Sequence, residues 1–192
     1  MTGETPDMAR RLRILSVCTH NRTRSVMMSA LLEHHARRVD LDLTSVFRSA
    51  GFSERGGELP TPRAIQLLAA RDIDVSGYLS HYLGKTGVVG ADLIVTAEHR
   101  HVVTIAGRWP EVYDRTFTLP EMVELGERIG PRDGRTLREW LDGLHAERPA
   151  PLDYLDQPVG EIADPTGHSA TQWSACFEQI DDLTARLIAL MS

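Results

Sequence analysis

The sequence predicts an α/β protein: a single domain built on a parallel sheet of about four strands, with helices on both faces and a phosphate-sized loop after the first strand. Three observations predict it. Short apolar runs alternate with stretches of helical periodicity along most of the chain. The first apolar run passes through one loop directly into the first helical stretch. The 192 residues, 42% of them apolar, suffice for one substantial core and not for two.

Taken in order, Met1 to Arg11 is polar and reads as a flexible N-terminal tail, leaving residues 12–192 as the domain. Arg13-Ile14-Leu15-Ser16-Val17 reads as a buried strand and Ser25 to Val39 as a helix. Leu43 to Ser49 reads as a second strand, and Phe52 to Leu59, with its paired glycines, as a loop. Thr61-Pro62 opens a second helix, a hydroxyl preceding a proline in the first turn, with Ile65, Leu68 and Ala69 on its inner face. Leu93 to Thr96 is a third strand, Glu98 to Ala106 a helix, and Val112 to Phe117 a short fourth strand.

Gly126 to Gly160 interrupts this alternation, with breaks at Gly130-Pro131-Arg132-Asp133-Gly134 and Arg148-Pro149-Ala150-Pro151. Between the breaks Leu137, Trp140, Leu141 and Leu144 recur at helical spacing, which fits an extra helix packed on the body or a substrate-facing lid. Trp173, Cys176, Phe177, Ile180, Leu183, Leu187 and Leu190 form the apolar stripe of a last helix, placing Cys176 in the core.

Composition narrows the function classes. Two cysteines suit a reducing compartment and exclude a disulfide scaffold. No apolar run approaches bilayer length and the polar start lacks the apolar core of a secretory signal, so the expectation is a cytoplasmic protein without membrane contact. A net charge of -6 argues against broad nucleic-acid binding. His34 with His35, and His99 with His101, diverge in direction on their helices and make no metal pair, so neither metal nor organic cofactor is expected.

The segment Cys18-Thr19-His20-Asn21-Arg22-Thr23-Arg24-Ser25 connects the first strand to the first helix. Unpaired N–H groups at a helix N-terminus, reinforced by the helix dipole, bind a phosphate-sized anion. A cysteine in that field, close to an arginine, is expected to ionise and act as a nucleophile at neutral pH. The spacing thus names a reaction, attack of a thiolate on a phosphoryl group.

Val17 to Ser25 resembles the phosphate loop of the low-molecular-weight protein tyrosine phosphatase family, whose fold is shared with a class of arsenate reductases. Ser49-Ala50-Gly51 is similar to the family's Ser-Ala-Gly turn, Ala64 to Ser76 to its second helix and following Asp-x-Ser, Ala91 to Val95 to its third strand, and Asp164-Pro165 to its general-acid motif. Relative to compact members, residues 126–160 resemble an insertion. The resemblance implies a phosphatase that acts on phosphorylated protein or a small-molecule phosphate through a cysteinyl-phosphate. Cys18 would attack and Arg24 would grip two equatorial oxygens. Thr19, His20, Asn21, Arg22, Thr23 and Ser25 would complete the phosphate site. Ser25 would also hydrogen-bond the Cys18 sulfur, and Asn21 would hold a left-handed bend supported by Ser49. Asp164 would act as acid and then base, its pKa raised by the negative charge of the phosphate and thiolate beside it.

Departures from the family pattern bear on the substrate. Thr23 stands where a second cysteine is common, and Thr166-Gly167-His168 replaces the aromatic residues that follow Asp-Pro in tyrosine-specific members, leaving Phe52 and Tyr78 as the nearest candidates for an aromatic wall. Arg22 either favours a substrate with a second anionic group or points outward to a surface acid. Two alternatives stand beside the phosphatase: an arsenate reductase using an external thiol, and a regulatory phosphate-binding module without turnover.

Overall fold

The computed structural model describes residues 11–39 and 45–192; residues 1–10 of the expected tail, and the start of the expected second strand at Leu43 and Thr44, lie outside the described residues. A sheet in the order β2-β1-β3-β4 organises the chain, with β1 at Arg13–Cys18, β2 at Val46–Gly51, β3 at Leu93–Thr96 and β4 at Thr116–Thr118. Every neighbouring pair is parallel. The fourth strand is shorter than its sequence suggests, because Pro110–Arg115 winds into a 3-10 helix. Proline fixes a helical φ at the start of that turn, and Arg115 closes it by donating to the Glu111 carbonyl.

Alternation along β1 sorts its side chains between two cores. Ile14 and Cys18 join one core with α1 (Arg24–Arg38), α2 (Pro62–Ala69), α5 (Leu119–Ile129) and α8 (Ala170–Met191). Leu15 and Val17 join the other, beneath α3 (Lys85–Val89) and α4 (His99–Arg108). Helices therefore cover both faces, which is why β1 and β3 are apolar nearly throughout and not alternating.

Within residues 126–160, Gly126 to Ile129 complete α5, and α6 (Leu137–Ala146) and α7 (Pro151–Tyr154) follow. A capping box between Thr136 and Glu139 starts α6. Its Trp140, Leu141 and Leu144 are buried in the first core, so this helix packs on the body. Gly126 permits that approach: a Cβ there would lie 2.9 Å from Leu190 and 3.2 Å from the Trp140 ring.

In parallel sheets of this kind ligands collect beyond the carboxyl ends of the strands. At that edge β1 runs into the loop that precedes α1, and β2 ends on Gly51. A Cβ on Gly51 would stand 2.7 Å from the Asn21 nitrogen and 2.8 Å from the Thr19 oxygen, both main-chain atoms that cannot swing aside. Gly51→Ala is therefore expected to displace the loop, costing about 1–3 kcal/mol and weakening phosphate binding at least tenfold; urea unfolding and a phosphate titration check both.

Candidate active site

Helix α1 begins without the usual side-chain cap. Thr23 occupies the N-cap position but makes no capping bond, its hydroxyl lying 3.1 Å from the Thr61 hydroxyl. The first intrahelical donor is Met27, bonded to the Thr23 carbonyl at 3.0 Å. The main-chain N–H groups of His20 through Ser25 donate to no acceptor among the described residues. Such a row of unused donors at the positive end of a helix is an anion site in its own right.

Asn21 fixes the curvature of this loop. It is fully buried with φ at 54°, in the left-handed region where Asn is enriched. Its side-chain amide donates at 2.9 Å to both the Ser25 and Ser49 hydroxyls, and its oxygen accepts from the Tyr78 hydroxyl and the His81 N–H, each at 2.8 Å. All four bonds of the amide are thus made, which compensates the burial of a strongly polar group. Tyr78 also lies 2.8 Å from the Ser49 hydroxyl, and burial pushes its pKa up despite these bonds. Tyr78 therefore braces the loop through its hydroxyl.

Cys18 is 3% exposed, and its sulfur lies 3.0 Å from the Ser25 hydroxyl. Arg24, on the first turn of α1, is 1% exposed. One arm of its guanidinium donates to Glu98 at 2.5 Å and to the Ile162 carbonyl at 2.8 Å, and the other to Asp164 at 2.7 Å. Two carboxylates and a carbonyl thereby neutralise a charge that would otherwise be prohibitively costly to bury.

Burial alone would raise the pKa of Asp164, but hydrogen bonds from Thr166 and then Arg24 outweigh it and hold the carboxyl below its usual range. The raised value expected from the sequence belongs to a carboxyl beside bound phosphate, whereas here Thr166 and Arg24 are its partners. Glu98 is lowered in the same manner, with Arg100 and Arg24 overcoming burial.

Thr19 is held from the far side. Its hydroxyl accepts from Arg100 at 3.1 Å and lies 3.1 Å from Nε2 of His101, whose ring stacks on Phe52 with centroids 5.2 Å apart. Burial is the main reason that the His101 pKa falls to about 4, with Glu98 opposing and Arg24 and Arg100 assisting. Arg22 donates to the Leu59 carbonyl at 2.9 Å and to Glu58 at 3.3 Å, the surface-acid arrangement of the two considered for it. His20 is exposed. Cys176 is buried in the core, its thiol donating to the Ala163 carbonyl at 3.6 Å and pushed up by burial to about 11, so it offers no ready resolving thiolate. Among the described residues no His, Cys, Asp and Glu group could hold a metal, and no helix is long and apolar enough to cross a membrane.

Three separate stretches of chain supply Cys18, Arg24, Ser25, Asn21, Ser49 and Asp164: hydrogen bonds join Cys18, Ser25, Asn21 and Ser49 in one set, and Arg24, next to Ser25 in the chain, joins Asp164 in another. Sequence reasoning missed Glu98, His101 and the bracing role of Tyr78. Glu98 was within reach, since it follows β3 at the strand end where sites of this fold gather.

Known proteins show matching patterns. Residues 13–128 match the family model for low molecular weight phosphotyrosine protein phosphatase. A protein-arginine-phosphatase of Bacillus subtilis is 34% identical over 57% of this chain and 71% of its own length. A probable low molecular weight protein-tyrosine-phosphatase, EpsP of Ralstonia nicotianae, is 35% identical over 57% of this chain and 71% of its length. The crystal structure of a Bacillus subtilis YwlE mutant superposes with a TM-score of 0.71 at 25% identity, over 93% of this chain and 97% of that one.

Neutral burial of His101 links the site to stability. The unfolded chain protonates this histidine near pH 6.5 and the folded chain only near 4, so the unfolded state binds more protons between those values and stability falls as pH drops through them. His101→Gln is expected to remove an acid-side loss on the order of 3 kcal/mol, read as a flatter dependence of the urea midpoint between pH 7 and pH 4.

Proposed function

The chain belongs to the low molecular weight phosphotyrosine protein phosphatase family, a hydrolase family with a cysteine-based mechanism, and on that premise we propose that it removes the phosphoryl group from a phosphorylated protein side chain through a cysteinyl-phosphate. The carrying observation is one uncapped helix terminus whose first turn holds both Ser25, 3.0 Å from the Cys18 sulfur, and Arg24, which donates to the Asp164 carboxylate at 2.7 Å.

In this reading the phosphoryl group sits against the open N–H groups of residues 20 to 25, where the helix dipole and fixed donors stabilise its equatorial oxygens. Cys18 attacks phosphorus in line as the bond to the leaving atom breaks, oxygen in a phosphate ester or nitrogen in phosphoarginine. Ser25 steadies the sulfur as nucleophile and later as leaving group. Arg24 supplies the fork of donors. Asp164 occupies one arm of that fork, so an incoming phosphate dianion competes with it for the guanidinium. Displaced from Arg24 and placed beside the phosphate's negative charge, the Asp164 carboxyl rises in pKa and can protonate the leaving group. As carboxylate it then activates the water that cleaves the Cys18–phosphorus bond.

The rim supports a protein-borne substrate over a small anionic phosphate. Arg22 is already engaged by Glu58 and the Leu59 carbonyl, so a second anionic group on the substrate would have to displace a carboxylate. Relatives are named for both arginine- and tyrosine-phosphate chemistry, and the absence of aromatic residues at Thr166-Gly167-His168 leaves the ring of phosphotyrosine without its usual clamp.

Kinetics on peptides carrying phosphotyrosine or phosphoarginine, and on small anionic phosphomonoesters, test the proposal. Peptide substrates are expected to have the higher kcat/KM, and a uniform preference for the small esters would overturn the reading. Cys18→Ser should lose roughly 1000-fold or more in kcat and yield no cysteinyl-phosphate on acid quench. Arg24→Lys, although it keeps the charge, should lose at least about 100-fold because one ammonium cannot replace a planar fork.

A further inference from the structure

Between α5 and the Asp164 loop the chain carries a buried charge cluster that the chemistry above does not use. Arg148 is 8% exposed and lies beneath three aromatic rings, 4.6 Å from the centroid of Tyr113, 4.3 Å from Phe117 and 4.4 Å from Tyr154. Its guanidinium donates to both oxygens of Glu121, at 2.8 and 3.3 Å, and to the Tyr113 carbonyl at 3.1 Å. Burial keeps the Tyr154 hydroxyl protonated by raising its pKa, and that hydroxyl donates to Glu121 at 2.9 Å. A planar, weakly hydrated guanidinium is suited to such a site as lysine is not.

Glu121 has a second duty. It completes the capping box of α5, accepting from the Thr118 N–H at 3.1 Å while its own N–H donates to the Thr118 hydroxyl at 3.1 Å. That same hydroxyl donates to the Gly160 carbonyl at 2.7 Å. From Gly160 onward each residue is tied to the body. Glu161 accepts from the His99 N–H at 2.7 Å, and Ile162 donates to Ala97 at 2.8 Å. The Ile162 carbonyl and the Asp164 carboxylate then meet Arg24. The His99 ring also rests edge-on against Tyr154, with centroids 4.7 Å apart. A continuous set of polar contacts thus runs from Arg148 through Glu121, Thr118 and Gly160 to the acid loop.

We propose that Arg148 and Tyr154, contributed by the segment between α5 and the acid loop, are positioning residues that set the reach of Asp164 toward the leaving group by fixing Glu121 and, through Thr118, the start of its loop. The proposal rests on the reading of Asp164 as general acid. Neither residue touches the phosphoryl group, and each acts through the orientation of another. Without Arg148, Glu121 would be a buried carboxylate lacking its counter-ion; it would turn toward solvent or take up a proton, and either response unsettles the cap that holds Gly160. The segment 126–160 then serves as a buttress for proton transfer, and its helix α6 as the packing that keeps the buttress in place.

The test uses kcat/KM across aryl phosphates of graded leaving-group basicity, from dinitrophenyl to phenyl phosphate, since a misplaced acid hurts only leaving groups that need a proton. Tyr154→Phe keeps the ring and deletes the bond to Glu121. Glu121→Gln combined with Arg148→Met replaces the charged pair by neutral groups of similar length and guards against a variant that does not fold. Both are expected to lose about tenfold on phenyl phosphate and less than about twofold on dinitrophenyl phosphate, steepening the leaving-group dependence. An unchanged slope in both, with or without a lower melting temperature, would overturn the proposal by reducing the cluster to a structural role. Asp164→Asn is the reference arm: it should steepen the slope further than either variant. A flat response in that arm would instead sink the assignment of Asp164 as acid and remove the buttress with it.

Discussion

An α-helix whose first turn is left open is the constraint on which the rest of this molecule depends. Helices ordinarily satisfy their leading N–H groups with a side chain at the N-cap, and Thr23 has the right chemistry to do so. Here its hydroxyl faces Thr61 instead, and the main-chain donors of residues 20 to 25 remain unused among the described residues, in the loop that follows Cys18. An arrangement so unfavourable in isolation persists only if the surrounding structure over-determines it. Asn21 supplies that, with four buried hydrogen bonds reaching Ser25, Ser49, Tyr78 and His81, and Gly51 lets the adjacent strand end approach without a side chain between. The anion site is therefore shaped by the second strand and the segment after the second helix as much as by the loop itself.

Electrostatics at the site follow from one buried guanidinium. Arg24 cannot shed its charge, so burial at 1% exposure obliges partners. Glu98 and Asp164 serve in different capacities. Glu98 follows β3 and is also gripped by Arg100, an anchored counter-ion that stays with Arg24. Asp164 sits on a loop, is more exposed, and is attached through a single arm. A competing anion displaces the less constrained carboxylate at lower cost, which separates a permanent partner from an exchangeable one. Under the proposed function, substrate arrival and activation of the acid become a single event at one guanidinium.

Local chemistry carried a large part of this in the linear chain. The apolar runs of β1 and β3, the proline that opens α2 and the stripe of α8 each announce themselves within one or two turns of chain, because hydrophobic period and backbone preference act on neighbours. The Cys18 to Ser25 spacing falls in the same class, a loop whose chemistry is written in consecutive residues. Val112 to Arg115 misled for a complementary reason: its residues favour a strand, but Pro110 and packing against the sheet favour a tight helical turn, and tertiary contacts override weak propensity. The bracing role of Tyr78 was hidden because an aromatic ring near a site reads equally as a wall, and only the hydroxyl contacts decide.

What the sequence determined by itself is the fold class, the strand-loop-helix that carries Cys18 and Arg24, and the family to which that loop belongs. What only the tertiary structure decided is which charges meet: that Glu98 shares Arg24 with Asp164, that Arg22 is taken by Glu58, that His101 is buried neutral behind Thr19, and that Arg148 reaches back to Glu121. The reason is physical. Periodicity and turn chemistry are set by forces between residues close along the chain, whereas an ion pair depends on distance and burial in three dimensions, and the partners here stand 27 to 140 residues apart.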